Sequence, residues 1–373
     1  MPRITRRSFA LAAALAASLA AGGPAHAFAG TPLNTGKVFT STNSPGGNEL
    51  LVFGRDAGGA LVLAARAATQ GVGTGGSLSS QGAVTLSADG RFVFVVNAAS
   101  NSVSTFSLDG DSAVLRSVVD SGGLTPTSVA ESDGIVYVLN VGGAGNVSGF
   151  RNMGGELQPL ANGVRPLSAA GGTAPAQVGF GRDVVVVTER ATNRIVTYRL
   201  EAGGTLGAPQ VTASSGITPF GFAFDRRDRL VVSEAFGGAI GASAASSYRF
   251  TEQTPATPLL ISGSVPTQQT AACWVAITPN GHHAYTGNAG HSSISSFRIA
   301  SGGQLTLIEA AAGITAPDAG VTDLAISASG RRLYALAPRG LMIASYVVGY
   351  DGALTQEASA LGLSAGVAGL AAN

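Results

Sequence analysis

Ser87-Ala88-Asp89-Gly90-Arg91-Phe92-Val93-Phe94-Val95-Val96-Asn97 is the stretch from which the rest of the chain can be read. Asp-Gly is hairpin-turn chemistry, and the apolar run after it is rich in β-branched and aromatic residues, which predicts a short strand. Asn97 closes that strand with a polar side chain. Six further runs have the same form: VFTSTN ending at Asn43, IVYVLN at Asn140, VVVVTE at Glu189, RLVVSE at Glu234, HAYTGN at Asn288 and RLYALA at Ala337. Each is followed by a loop and a second strand ending in an aromatic residue. Those aromatics are Phe53, Phe106, Phe150, Tyr198, Tyr248, Phe297 and Tyr346, spaced by 53, 44, 48, 50, 49 and 49 residues.

A period near 50 with several strands per unit is the signature of a β-propeller, in which radial four-stranded sheets surround a central channel. Seven copies predict an all-β fold of seven blades. The strand before each copy supplies the innermost position: AVTLS, TSVAE, AQVGF, FGFAF, CWVAI and TDLAI, with VAGLA close to the C-terminus. The first copy lacks a strand ahead of it, and VAGLA lacks strands after it. The two deficits are complementary, so the C-terminal strand is expected to complete the first blade and close the ring.

With 45% hydrophobic and 12% charged residues, the 373-residue chain can bury a large core. Its formal charge of +1 gives no electrostatic footprint for nucleic acid or an anionic membrane. Cys273 is the only cysteine, so neither an intramolecular disulfide nor a cysteine zinc knuckle can form. The N-terminus combines Arg3, Arg6 and Arg7, an apolar run from Ala10 to Ala21 and an Ala25-His26-Ala27 cleavage site. Residues 1–27 therefore read as a twin-arginine export signal of a bacterial protein, periplasmic or secreted, and residues 28–373 as a single propeller domain. The apolar run is too short to span a bilayer, so the mature chain is expected to carry no integral membrane segment. Its formal charge is −2, since the signal removes three arginines and no acid.

The start of each innermost strand and the end of the next strand must share one face of the disc, because the two are antiparallel. That face collects Gln81, Asn97, Thr127, Asn140, Gln177, Glu189, Phe220, Glu234, Cys273, Asn288 and Asp323. Adjoining loops add Arg165, Arg190, Asn193, Arg194, Gln268, Gln269 and His291. Glu189 and Glu234 occupy equivalent places in consecutive blades where most other copies carry Asn, and paired acids can activate water and hold a proton. Each equally suits a structural role, accepting hydrogen bonds from loop amides or pairing with Arg190 or Arg194. His291 is a candidate base, Trp274 a candidate apolar wall of a pocket, and Cys273 a candidate thiol nucleophile. No metal site and no cofactor is expected. Glycine-rich strings such as GVGTGG at Gly71 lack a Walker lysine, the only lysine being Lys37.

On these motifs the mature chain resembles the lactonase family of seven-bladed propellers, which includes 6-phosphogluconolactonases and 3-carboxymuconate-cyclizing enzymes. VTERATNRI, Val187 to Ile195, is similar to the family's acidic-loop-Asp/Asn-Arg segment, and RLVVSEA, Arg229 to Ala235, to its strand ending in Asn-Glu. The resemblance implies functional positions at Glu189, Asn193, Arg194 and Glu234. Two departures stand beside it. Pro219 is followed by Phe220 and Gly221, and Pro175 by Ala176 and Gln177, where the phosphosugar lactonases carry basic residues and histidines. The expectation is an exported lactonase-like hydrolase opening a neutral or weakly anionic cyclic ester, with catalytic Glu189, Glu234 and Arg194. Arg165, Gln177, Arg190, Asn193, Gln269, Asn288, His291 and Asp323 are expected to bind the small-molecule substrate. The alternatives are a ligand- or protein-binding propeller without turnover and a lactone-forming isomerase.

Overall fold

The second strand is buried along its whole length in six of the seven repeats, from Val38–Ser41 to His283–Asn288, because neighbouring sheets cover both of its faces. This is why runs such as FVFVVN, IVYVLN and VVVVTE are apolar at successive positions and do not alternate. The computed structural model describes residues 36–56, 59–110, 112–252 and 256–373. The export signal expected over residues 1–27 lies outside these residues.

Seven four-stranded antiparallel sheets form the blades. The innermost strands of blades 2 to 7 are Val84–Leu86, Pro126–Ser132, Pro175–Phe180, Pro219–Phe224, Ala272–Ile277 and Asp323–Ile326. That of blade 1 is the last strand, Ala368–Ala372, which pairs antiparallel with the first, Val38–Ser41. The expected closure is therefore present. The first repeat differs in one detail: its strand stops at Ser41, and Asn43 turns into the left-handed region at φ 46° to bond the Thr74–Gly76 loop.

The periodic aromatics stand on the third strand of each blade, and all seven are at most 3% exposed. Where the aromatic is tyrosine, its hydroxyl finds a partner in the loop region between blades. Tyr198 donates to Pro166 O and Tyr346 to Ile314 O, both at 2.8 Å, while Tyr248 accepts from Ser215 N. Outer strands such as Ser112–Asp120 alternate exposed and half-buried positions, as a strand with one wet face must.

Closure between first and last blades has a second lock. The Arg55 side chain, 1% exposed, donates to Ser345 Oγ at 2.7 Å and Tyr334 Oη at 3.2 Å and lies 3.1 Å from Glu357. Arg332 approaches the same carboxylate at 3.0 Å. Burial alone would raise the pKa of Glu357, but its bonds to Arg332, the charge of Arg55 and the Ser345 hydroxyl hold it below the usual range. Removing one partner would strand a buried charge, so the network holds the seam only as a complete set.

Deleting residues 366–373 removes the strand that completes blade 1. The expected outcome is loss of the single cooperative thermal transition, read by circular dichroism; an unchanged melting curve would exclude closure as the source of stability.

Candidate functional site

The register puts the expected residues on one face. Pro126 pairs with Asn140, Pro175 with Glu189, Pro219 with Glu234 and Ala272 with Asn288, so the starts of innermost strands lie beside the ends of second strands.

At that shared position the side chain points under the loop that enters the blade. Glu189 is fully buried and accepts from Ser168 N at 2.9 Å, Ser168 Oγ at 2.5 Å and Thr192 Oγ1 at 2.6 Å. Glu234, equally buried, accepts from Gly216 N at 2.8 Å, Ser246 Oγ at 2.5 Å and Ser264 Oγ at 2.7 Å. The two carboxylates have no partner in common. Asn97, Asn140 and Asn288 sit in the same place but donate, as in the bonds from Asn97 Nδ2 to Ser102 and Ser104 hydroxyls. Both glutamates are surrounded by N–H and O–H donors, whereas Asn140 Nδ2 also reaches a carbonyl, Ser121 O, at 3.0 Å.

Several other expected residues serve the same loops. Asn193, at φ 54°, accepts from Thr218 N, Gln269 accepts from Ser293 Oγ, and exposed His291 accepts on Nδ1 from Thr270 N at 3.2 Å. Gln177 makes a two-way bond with the backbone of Phe222, tying blade 4 to blade 5. Arg194 is exposed, and its guanidinium makes no hydrogen bond among the described residues. Arg165 is placed differently from expectation. It belongs to an outer strand, and its guanidinium is spent on the carbonyls of Gly207, Asn162 and Val164, so it stands at the rim and not at the mouth.

The mouth itself is built around Gln81. Its side-chain amide accepts from Val275 N at 3.0 Å and donates to Val275 O at 2.8 Å, while its backbone N–H donates to Ala176 O. Preceding it, Ser80 donates through Oγ to Thr127 O and accepts from the Trp274 indole N–H at 2.9 Å. A segment leading into blade 2 thus reaches blades 3, 4 and 6 and stops the channel. Blade 5 makes room for it: a Cβ on Gly221 would lie 2.1 Å from Gln81 Oε1.

Around this stopper lie Phe220 and Trp274, edge to face at 5.3 Å, and Arg190, whose guanidinium sits 5.2 Å over the Phe220 ring. Arg190 Nε donates to Ala174 O, and its Nη atoms make no hydrogen bond among the described residues. Burial lowers its pKa, yet arginine stays charged at any working pH. Cys273 is no nucleophile here, because burial pushes its thiol up to about 12. Asp323 is also buried. Desolvation pushes it up to about 8, against bonds from the amides of Leu324, Leu370 and Gly82. Beside the stopper opens a cleft of about 360 Å³, lined by the Ser77–Ser80 segment, Trp274, Thr322, Arg339 and the start of the closing strand. The sequence pointed to Trp274 as a wall but not to Ser80, Gln81 as stopper or Arg339. Gln81 is reached through spatial contacts with distant blades, and no local pattern marks it.

Among the described residues no group of three potential metal ligands clusters, and no helix is long and apolar enough to cross a membrane.

The resemblance noted in the sequence is borne out. Residues 244–368 match the family described as lactonase, 7-bladed beta-propeller. No curated protein matches the chain. Among solved structures, a candidate 6-phosphogluconolactonase of Bacteroides uniformis is similar at 18% identity and TM-score 0.70, covering 90% of this chain and 98% of that one. The periplasmic gluconolactonase of Pseudomonas aeruginosa is similar at 15% identity and TM-score 0.67, covering 88% and 97%. A protein of Lactobacillus plantarum is similar at 16% identity and TM-score 0.72, covering 91% and 100%. At these identities the structures share the fold.

Two outcomes are expected from this geometry. Gly221→Ala must push against Gln81 and the Cys273 carbonyl and should cost about 1–3 kcal/mol in denaturant unfolding. Asp323 keeps its proton in the folded state at pH values where the unfolded chain has lost it. Its contribution is therefore full below pH 3.8 and fades as pH rises towards 8. Unfolding measured from pH 5 to 9 should show a smaller loss of stability in Asp323→Asn than in the parent; parallel profiles would mean that Asp323 ionises normally.

Proposed function

We propose that this lactonase-type seven-bladed propeller is an exported hydrolase, periplasmic or secreted, that opens a cyclic ester at its mouth. The observation that carries the reading is Arg190: a half-buried guanidinium held by Ala174 O and the Phe220 ring, with both Nη atoms left to a ligand. In lactone hydrolysis water adds to the carbonyl carbon, negative charge gathers on the carbonyl oxygen, and the ring C–O bond breaks to leave a hydroxy acid. A fixed cation beside that oxygen lowers the barrier. Arg190 fits this part better than Arg194, which is exposed, or Arg165, which is at the rim. Water activation by Glu189, adjacent to Arg190 in the chain, requires the Ser168 and Thr192 hydroxyls to release its carboxylate. The family match and the periplasmic gluconolactonase of like fold support the reaction class; the twin-arginine motif supports export.

One observation favours a second reading, a ligand-binding propeller without turnover: Glu189, Glu234 and Asp323 are all buried and bonded to protein donors. Hydrolysis of a lactone panel including glucono-lactone decides between them. Turnover by the mature chain should fall about 100-fold in Arg190→Gln with folding retained. In a Glu189→Gln, Glu234→Gln double variant, lost turnover with intact folding assigns water activation to the acids, and lost stability with turnover retained per folded molecule assigns them to the loops. A folded protein that opens no lactone supports the binding reading.

A further inference from the structure

The cleft beside the stopper has a composition that selects its ligand. One wall is apolar, made by Leu78, Trp274 and Val367. The indole N–H of Trp274 is already spent on Ser80 O and the residue is 4% exposed, so it offers the ligand only a small apolar part of its ring. Ser77 and Ser79 add hydroxyl-bearing residues at one edge. The only charged residue lining the cleft is Arg339. A short turn, Pro338–Gly340, presents it, and Nε donates to Asp318 O at 2.8 Å while Nη2 lies 3.4 Å from Ala289 O. Its guanidinium rests on the backbone at Gly320, where a Cβ would come within 2.6 Å of Cζ. Two carbonyls and a glycine thus hold the cation in place before any ligand arrives, which reduces the ordering cost of binding. Nη1 makes no hydrogen bond among the described residues. No acidic residue lines the cleft to answer this charge.

We infer that this cleft binds a small organic monoanion with an apolar, planar body, its carboxylate on Arg339 and its body against Trp274 and Leu78. A volume of about 360 Å³ lies at the low end of ligand sites and suits a molecule of that class. A sugar phosphate is disfavoured on two counts. Its second charge finds no cationic partner besides Arg339, and the several hydroxyls of a sugar would have only the serine edge and Thr322 to replace the hydration lost against Leu78, Trp274 and Val367. The inference rests on the mouth being the working face, as the proposed function does. Its test reads binding and not turnover, so failure to open lactones leaves it standing.

Trp274 is the only tryptophan of the chain, so the fluorescence of the intact protein reports from this wall. Three probes separate the possibilities: 3-phenylpropionate, its neutral amide, and glucose 6-phosphate. The expected result is a saturable change in emission with phenylpropionate, affinity at least about tenfold weaker for the amide, and no saturable change with the phosphate. Arg339→Gln should bring the acid down to the affinity of the amide and leave the amide unchanged, and Arg339→Lys should recover part of the difference. No saturable response to the acid, equal affinities for acid and amide, insensitivity to Arg339→Gln, or preference for glucose 6-phosphate would each overturn the inference.

Discussion

The pairing of Val38–Ser41 with Ala368–Ala372 is the constraint on which the molecule depends. A propeller blade buries its faces only against two neighbours, so an open ring would expose the faces of two blades at once and leave unpaired strand edges beside them. The pairing joins residues more than 320 positions apart, and a large loop-closure cost must be met by what the seam gains. Here the gain comes from Leu370 and Ala371 in the core, from the side-chain bonds of Thr40 and Ser41 to the closing strand, and from the Arg55 network on the outer side.

Closing the ring creates a second problem at its centre, where seven innermost strands leave an axial gap. The chain fills it at one level with a single side chain. Gln81 behaves as a short piece of strand, giving Val275 both a donor and an acceptor, and its neighbour Ser80 adds bonds to blades 3 and 6. The same segment that stops the channel also forms a wall of the cleft. Stability of the ring and the shape of the site are therefore carried by the same residues.

The ends of the second strands show how residue type follows local need. Asparagine in three blades and glutamate in two stand at this place, and Asn140, Glu189 and Glu234 each bond the loop that enters their blade. Buried polar groups are costly unless bonded, and the two carboxylates meet that demand with donors from the protein. From the sequence, the two acids look like an exception that calls for a function. In three dimensions both are buried and bonded to protein donors, as the asparagines at the same place are buried.

The amino-acid sequence by itself determined the repeat, the seven blades, the closing role of the last strand and the face on which polar residues gather. These follow from local alternation of strand and turn residues and from strict antiparallel register, which need no knowledge of distant contacts. Only the tertiary structure decided which polar residues are spent and which are free. It buried Glu189 and Glu234 under loops, carried Arg165 to the rim, and left Arg190 and Arg339 with unengaged donors around a stopper formed by Gln81. The reason is physical: a side chain's availability depends on every donor and acceptor within reach, and in a closed ring most of those come from other blades.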